Sequence, residues 1–121
     1  MRLQHVSITA PGGGEERVRA FYGGLLGLKE LEVPPKLDPS RLIWFRVGEP
    51  DLELHVMLGE EAVAARGHFC LAVEDVDSVR RRLAGAGVET SDATEIVGRP
   101  RFFCRDPFGS RVELTTILEE R

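Results

Sequence analysis

His5-Val6-Ser7-Ile8 near the start of the chain and His68-Phe69-Cys70-Leu71 past its middle repeat one pattern: a histidine, then apolar and small residues in alternation. Alternation at a period of two marks a half-buried strand, because successive side chains leave an extended backbone on opposite sides. The first copy sits in a predicted strand over 2–9, closed by the breakers Pro11 to Gly14. Glu15 and Glu16 then open a helix, where acids suit the N-terminal dipole, and Val18, Phe21, Tyr22 and Leu25 fall at i, i+3, i+4 and i+7. Gly27 ends it. Strands are predicted over 28–33, 42–47 and 52–58, parted by the Pro-rich stretch 34–40 and by Gly48-Glu49-Pro50-Asp51.

The second copy restarts the same succession. A strand over 67–73 leads to a helix capped by Asp75, with Val76, Val79 and Leu83 on one face and Gly87 as its stop. A weak strand at 88–90 reaches toward Ile96, and strands over 101–105 and 110–117 flank the turn Asp106-Pro107-Phe108-Gly109. His5 falls on His68 at an offset of 63 residues, while Trp44-Phe45 falls on Phe102-Phe103 and His55 on Glu113 at an offset of 58. The expected fold is therefore α+β, built from two βαβββ modules. Module 1 covers about 1–57, a linker with room for a helical turn about 58–66, and module 2 about 67–121, together one domain.

Length and composition agree with that reading. A chain of 121 residues fits one domain, and 42% hydrophobic against 30% charged residues describes a folded globular protein rather than a disordered one. A net charge of −4 argues against a nucleic-acid or anionic-membrane partner. Cys70 and Cys104 are too few for a disulfide framework or a cysteine zinc site, and the N-terminus lacks the apolar run of a signal peptide. The expected location is the cytoplasm.

Parity also says which residues share a surface. Away from the helix, the first strands present His5, Ser7 and Thr9, then His68, Cys70 and Ala72; the last strands present Glu53, His55 and Met57, then Arg111, Glu113 and Thr115. If the two sheets meet, His5, His55, His68 and Glu113 converge, and they include every histidine in the chain. One histidine on a half-buried strand is most simply a satisfied or surface residue. Three at corresponding parity, joined by a carboxylate, point instead to one divalent metal ion: Fe, Mn, Ni, Zn or Co. Such an ion acts as a Lewis acid toward oxyanions. Glu53 is a candidate base, or a solvated carboxylate. Arg101 and Arg111 are candidate forks for an anionic group, or exposed side chains. Cys70 is either on the site or an inert thiol, Trp44 is read as core, and Gly12 to Gly14 as a loop.

The chain resembles the vicinal oxygen chelate (VOC) superfamily, which groups glyoxalase, bleomycin-resistance, fosfomycin-resistance and extradiol-dioxygenase proteins. The resemblance is carried by His5 in LQHVSI, Phe21-Tyr22 and Leu26-Gly27-Leu28 in FYGGLLGLKE, His68 in GHFCLAV, Leu83 and Gly87-Val88-Glu89 in RRLAGAGVE, and Asp106 through Glu113 in DPFGSRVEL. It implies paired modules forming a curved mixed sheet around a cleft, in a homodimer whose modules pair within one chain or swap between two. It implies His5, His55, His68 and Glu113 as metal ligands, Glu113 and Glu53 as catalytic carboxylates, and Ser7, Cys70, Arg101, Phe103 and Arg111 along the cleft. The implied activity is metal-dependent lyase or isomerase chemistry of the glyoxalase type on a small molecule with vicinal oxygens. Extradiol-dioxygenase or resistance-transferase chemistry, and a non-catalytic binding module, are the alternatives.

Overall fold

A computed structural model describes residues 2–59 and 67–118. The chain divides into two compact units, Met1–Val63 and Ala64–Arg121, referred to below as modules 1 and 2. Each contains a four-stranded mixed sheet and little helix, the α+β arrangement expected from the repeat. Most of the predicted linker, with its helical turn, lies outside the described residues.

Module 1 runs β1 (His5–Ala10), α1 (Glu15–Val18), a π-helical segment (Arg19–Leu25), β2 (Lys29–Leu31), β3 (Leu42–Gly48) and β4 (Leu52–Leu58). Its strand order is β1-β4-β3-β2, with β1 parallel to β4 and the remaining pairs antiparallel. Module 2 repeats this with β5 (His68–Ala72), α2 (Val76–Gly85), β6 (Thr90–Asp92), β7 (Arg101–Arg105) and β8 (Arg111–Thr115), in the order β5-β8-β7-β6. In both modules the first and last strands lie side by side at one end of the sheet. That adjacency puts each histidine-bearing first strand against the strand carrying His55 or Glu113. Among the described residues no helix is long and apolar enough to cross a membrane.

The helix-side faces form the cores. In module 1, Val18, Phe21 and Tyr22 cover Ile43, Phe45, Leu54 and Val56, all buried. In module 2, Val76, Val79 and Leu83 lie on the buried face of α2, and Phe102, Cys104, Val112 and Leu114 are buried on the strands. Each large apolar side chain so buried contributes about 1.5–3 kcal/mol. The first helix departs from the expected single α-helix: after one turn it widens, with Leu26 N–H donating to the Phe21 carbonyl five residues back at 2.9 Å. The glycine pair Gly23-Gly24 within it lacks the side chains that favour ordinary helical turns. α2 follows expectation, with the Asp75 carboxylate accepting from Ser78 N–H and Gly87 closing the helix at φ +84°.

Trp44 departs from expectation in a way that matters for the site. It pairs with His55, while Phe45 pairs with Leu54 and is fully buried. In module 2 the residue opposite Glu113 is Phe103, so Trp44 corresponds to Phe103, not Phe102. The cause is a register shift between Arg46 and Gly48 that leaves Val47 without a partner. One extra residue in a strand reverses the parity of everything on its far side.

The turn between β7 and β8 is organised by Asp106, a buried carboxylate that accepts from the backbone N–H groups of Phe108 and Ser110, each at 2.9 Å. Asp106→Ala orphans both donors in a buried turn, and equilibrium urea unfolding should show a loss of about 2–3 kcal/mol. A variant as stable as the parent would mean that water replaces the carboxylate there.

Candidate functional site

In module 1 the residues predicted to share a surface do so. The register aligns His5 with Glu53 and Ser7 with His55, all on the face away from the helix. His55 lies between two rings, with Trp44 stacked at 3.8 Å and 6° on one side and His5 at 4.3 Å and 17° on the other. Its Nε2–H donates to Glu53 Oε1 at 2.8 Å. Both side chains are mostly buried, at 12% and 16% exposed. A ring held on both faces has no room to turn.

His5 is oriented by a residue that sequence reasoning missed. The Gln4 amide Nε2 donates to the Asp51 carbonyl at 2.8 Å, which turns Oε1 toward His5. A carbonyl oxygen only accepts, so His5 Nδ1, at 2.7 Å, carries the proton and Nε2 presents its lone pair. Arg2 forks onto the Asp51 carboxylate and steadies the anchor. No periodicity marks Gln4, which acts from just outside β1. The signal for Trp44 was masked by the bulge at Val47.

In module 2, Glu113 is the hub. Its Oε1 accepts from His68 Nε2 at 3.0 Å and its Oε2 from Arg101 Nη1 at 3.3 Å. Cys70 lies directly opposite this carboxylate in the register. Arg101 is spent further on Thr94, whose carbonyl accepts from both Nε and Nη2. Phe103 lies among the charged groups, with His68 edge-on at 5.3 Å and the Arg111 guanidinium 3.8 Å above its ring. Thr94 acts through its backbone carbonyl, for which side-chain patterns hold no signal.

Burial, and then the Glu113 charge, push the Cys70 thiol up to about 12. Burial does the same to Cys104, up to about 11, with Asp106 adding to it. Neither sulfur is a ready nucleophile at neutral pH, since the reacting form is the thiolate.

The donor chemistry of these pairs suits a divalent ion. Neighbouring corners of an octahedron with bonds near 2.1 Å lie about 3 Å apart, and the His68 and Glu113 donors have that spacing. His5 offers an imidazole lone pair fixed by a hydrogen bond on its other nitrogen, the usual arrangement of a metal-binding histidine. His55 makes the equivalent contact in module 1, its Nε2 on Glu53 Oε1 at 2.8 Å, and is set apart by the rings packed on both its faces. Among the described residues, no group of three or more His, Cys, Asp and Glu side chains is placed to hold a metal ion. Each module supplies a pair of candidate ligands.

A family model for the Glyoxalase/Bleomycin resistance protein/Dioxygenase superfamily matches residues 2–114. No curated protein matches the chain. Among solved structures, a glyoxalase family protein from Bacillus anthracis is 33% identical with a TM-score of 0.87, covering 97% of this chain and 95% of its own. Lactoylglutathione lyase from Agrobacterium tumefaciens is 20% identical at a TM-score of 0.74, covering 95% and 92%. TnmS3, an antibiotic binding protein from Streptomyces sp. CB03234, is 20% identical at 0.76, covering 97% and 96%. The last two likenesses are of fold.

Proposed function

Given that this chain belongs to the Glyoxalase/Bleomycin resistance protein/Dioxygenase superfamily, we propose that it is a metal-dependent enzyme acting on a small molecule with vicinal oxygens, by lyase or isomerase chemistry. His5, His68 and Glu113 are assigned as the metal ligands. The observation that carries this reading is the paired preparation of donors: His5 with its lone pair set by Gln4, and His68 beside a Glu113 carboxylate that Arg101 holds in place. A divalent ion bound there supplies Lewis acidity to adjacent substrate oxygens and stabilises the negative charge that develops on them.

The remaining groups take roles that follow from their contacts. Glu53 is assigned as the base that removes a proton from the carbon beside those oxygens. His55, clamped between Trp44 and His5, holds the Glu53 carboxylate through Nε2–H and so acts as a positioning residue rather than a ligand. Arg101 keeps one oxygen of Glu113 occupied and directs the other toward His68.

Elemental analysis of the purified protein tests the reading. About one divalent ion per chain is expected in the parent, and almost none in the double variant His5→Ala/Glu113→Ala. Metal content that is negligible in the parent, or unchanged in the double variant, would sink the enzyme assignment. The identity of the ion narrows the chemistry, since iron favours reactions of oxygen, and nickel, zinc or cobalt favour lyase and isomerase reactions.

A further inference from the structure

We propose that Arg111 is an anion-binding residue, held flat on Phe103 to receive a carboxylate or phosphate group of the substrate. The word substrate rests on the enzyme reading above, whereas the anion site stands on module 2 alone. Three arginines share this face, and two are committed. Arg101 places Nε and Nη2 on the Thr94 carbonyl and Nη1 on Glu113. Arg105 donates to the Gly109 carbonyl at 2.8 Å. Arg111 packs its guanidinium on Phe103 at 3.8 Å and has no hydrogen-bond or ion-pair partner among the described residues. Stacking uses the flat face of a guanidinium and leaves its in-plane N–H donors directed outward, the geometry that grips an oxyanion with two parallel hydrogen bonds.

The neighbouring strands sharpen the point. Arg111 lies directly opposite Arg105 on β7, so two guanidinium-bearing residues face each other across neighbouring strands. Like charges facing each other across strands are destabilising. The nearby carboxylate, Glu113, is already occupied by His68 and Arg101. An anion on Arg111 relieves the repulsion. Beside it a cavity of about 500 Å³ is lined by Phe103, Arg105, Arg111, Cys104 and the hydroxyl residues Thr90 and Ser91, with the exposed Glu89 also on its wall. That volume falls in the range of small-molecule sites.

Calorimetric titration of the full chain, freed of divalent metal by a chelator, separates the anion site from any binding to metal. Inorganic phosphate and malonate are titrated in separate arms, and the tighter arm names the preferred oxyanion. Saturable binding of at least one is expected, weakened about tenfold or more in Arg111→Gln. Arg111→Lys should recover part of it, and Arg81→Gln on the exposed side of α2 should leave it unchanged. Absence of saturable binding by the parent, or equal affinity in Arg111→Gln with an unaltered thermal midpoint, overturns the proposal. Metal content of Arg111→Gln should match the parent. A parent that carries no divalent metal as purified, before any chelator, and still binds the anion through Arg111 would sink the enzyme reading and leave this one standing.

Discussion

Glu113→Ala should strip the protein of its divalent ion, lowering metal affinity by more than about 100-fold, while His55→Gln should keep that affinity within about tenfold. The contrast comes from what each side chain touches. Glu113 is the acceptor for His68 and Arg101, so alanine removes one donor to the metal and releases the orientation of another. His55 gives its Nε2–H to Glu53 and is packed on both faces by rings. Its loss should appear in turnover, through a mispositioned Glu53, rather than in metal content. Equilibrium titration with a competing chelator measures the first effect, and steady-state kinetics at saturating metal the second. Loss of metal from His55→Gln equal to that from Glu113→Ala would make His55 a ligand and remove Glu53's partner from the acid–base assignment.

The largest stability effect is expected from Phe45→Ala, a loss of about 3–5 kcal/mol in urea or thermal unfolding. Phe45 is fully buried, and its ring lies 5.8 Å from that of Tyr22 within the module 1 core. Against a usual total stability of about 5–15 kcal/mol, that is a large share. Trp44→Ala, one residue away, should cost less, because Trp44 is on the opposite face against His55. Its effect should instead fall on the site, since one wall of the His55 clamp is gone. The reverse order of stabilities would place Trp44 in the core and contradict the bulge at Val47.

Which strand residues share a face was legible in the sequence. The period-two pattern put His5 and Ser7 on the face of Glu53 and His55, and Cys70 on the face of Arg111 and Glu113; the observed registers align these same residues. Arg101 and Phe103 also fall on the Glu113 side of their sheet. What escaped the sequence were contacts made by hydrogen bonds from unpatterned positions. Gln4 sets the tautomer of His5, and Thr94 grips Arg101 through a main-chain oxygen that every residue type possesses.

The sequence by itself determined the order of elements, the internal repeat and the face on which each strand residue lies, because these depend on periods of two and 3.6 that are local to the chain. Only the tertiary structure decided that Trp44 faces His55, that His55 is clamped against Glu53, and that, among the described residues, Arg111 stacks on Phe103 with no hydrogen-bond partner while Arg101 bonds Glu113. Those outcomes turn on one unpaired residue in β3 and on which distant donor reaches which acceptor. Such choices are settled between strands, where the sequence of one strand holds no record of its neighbour's register.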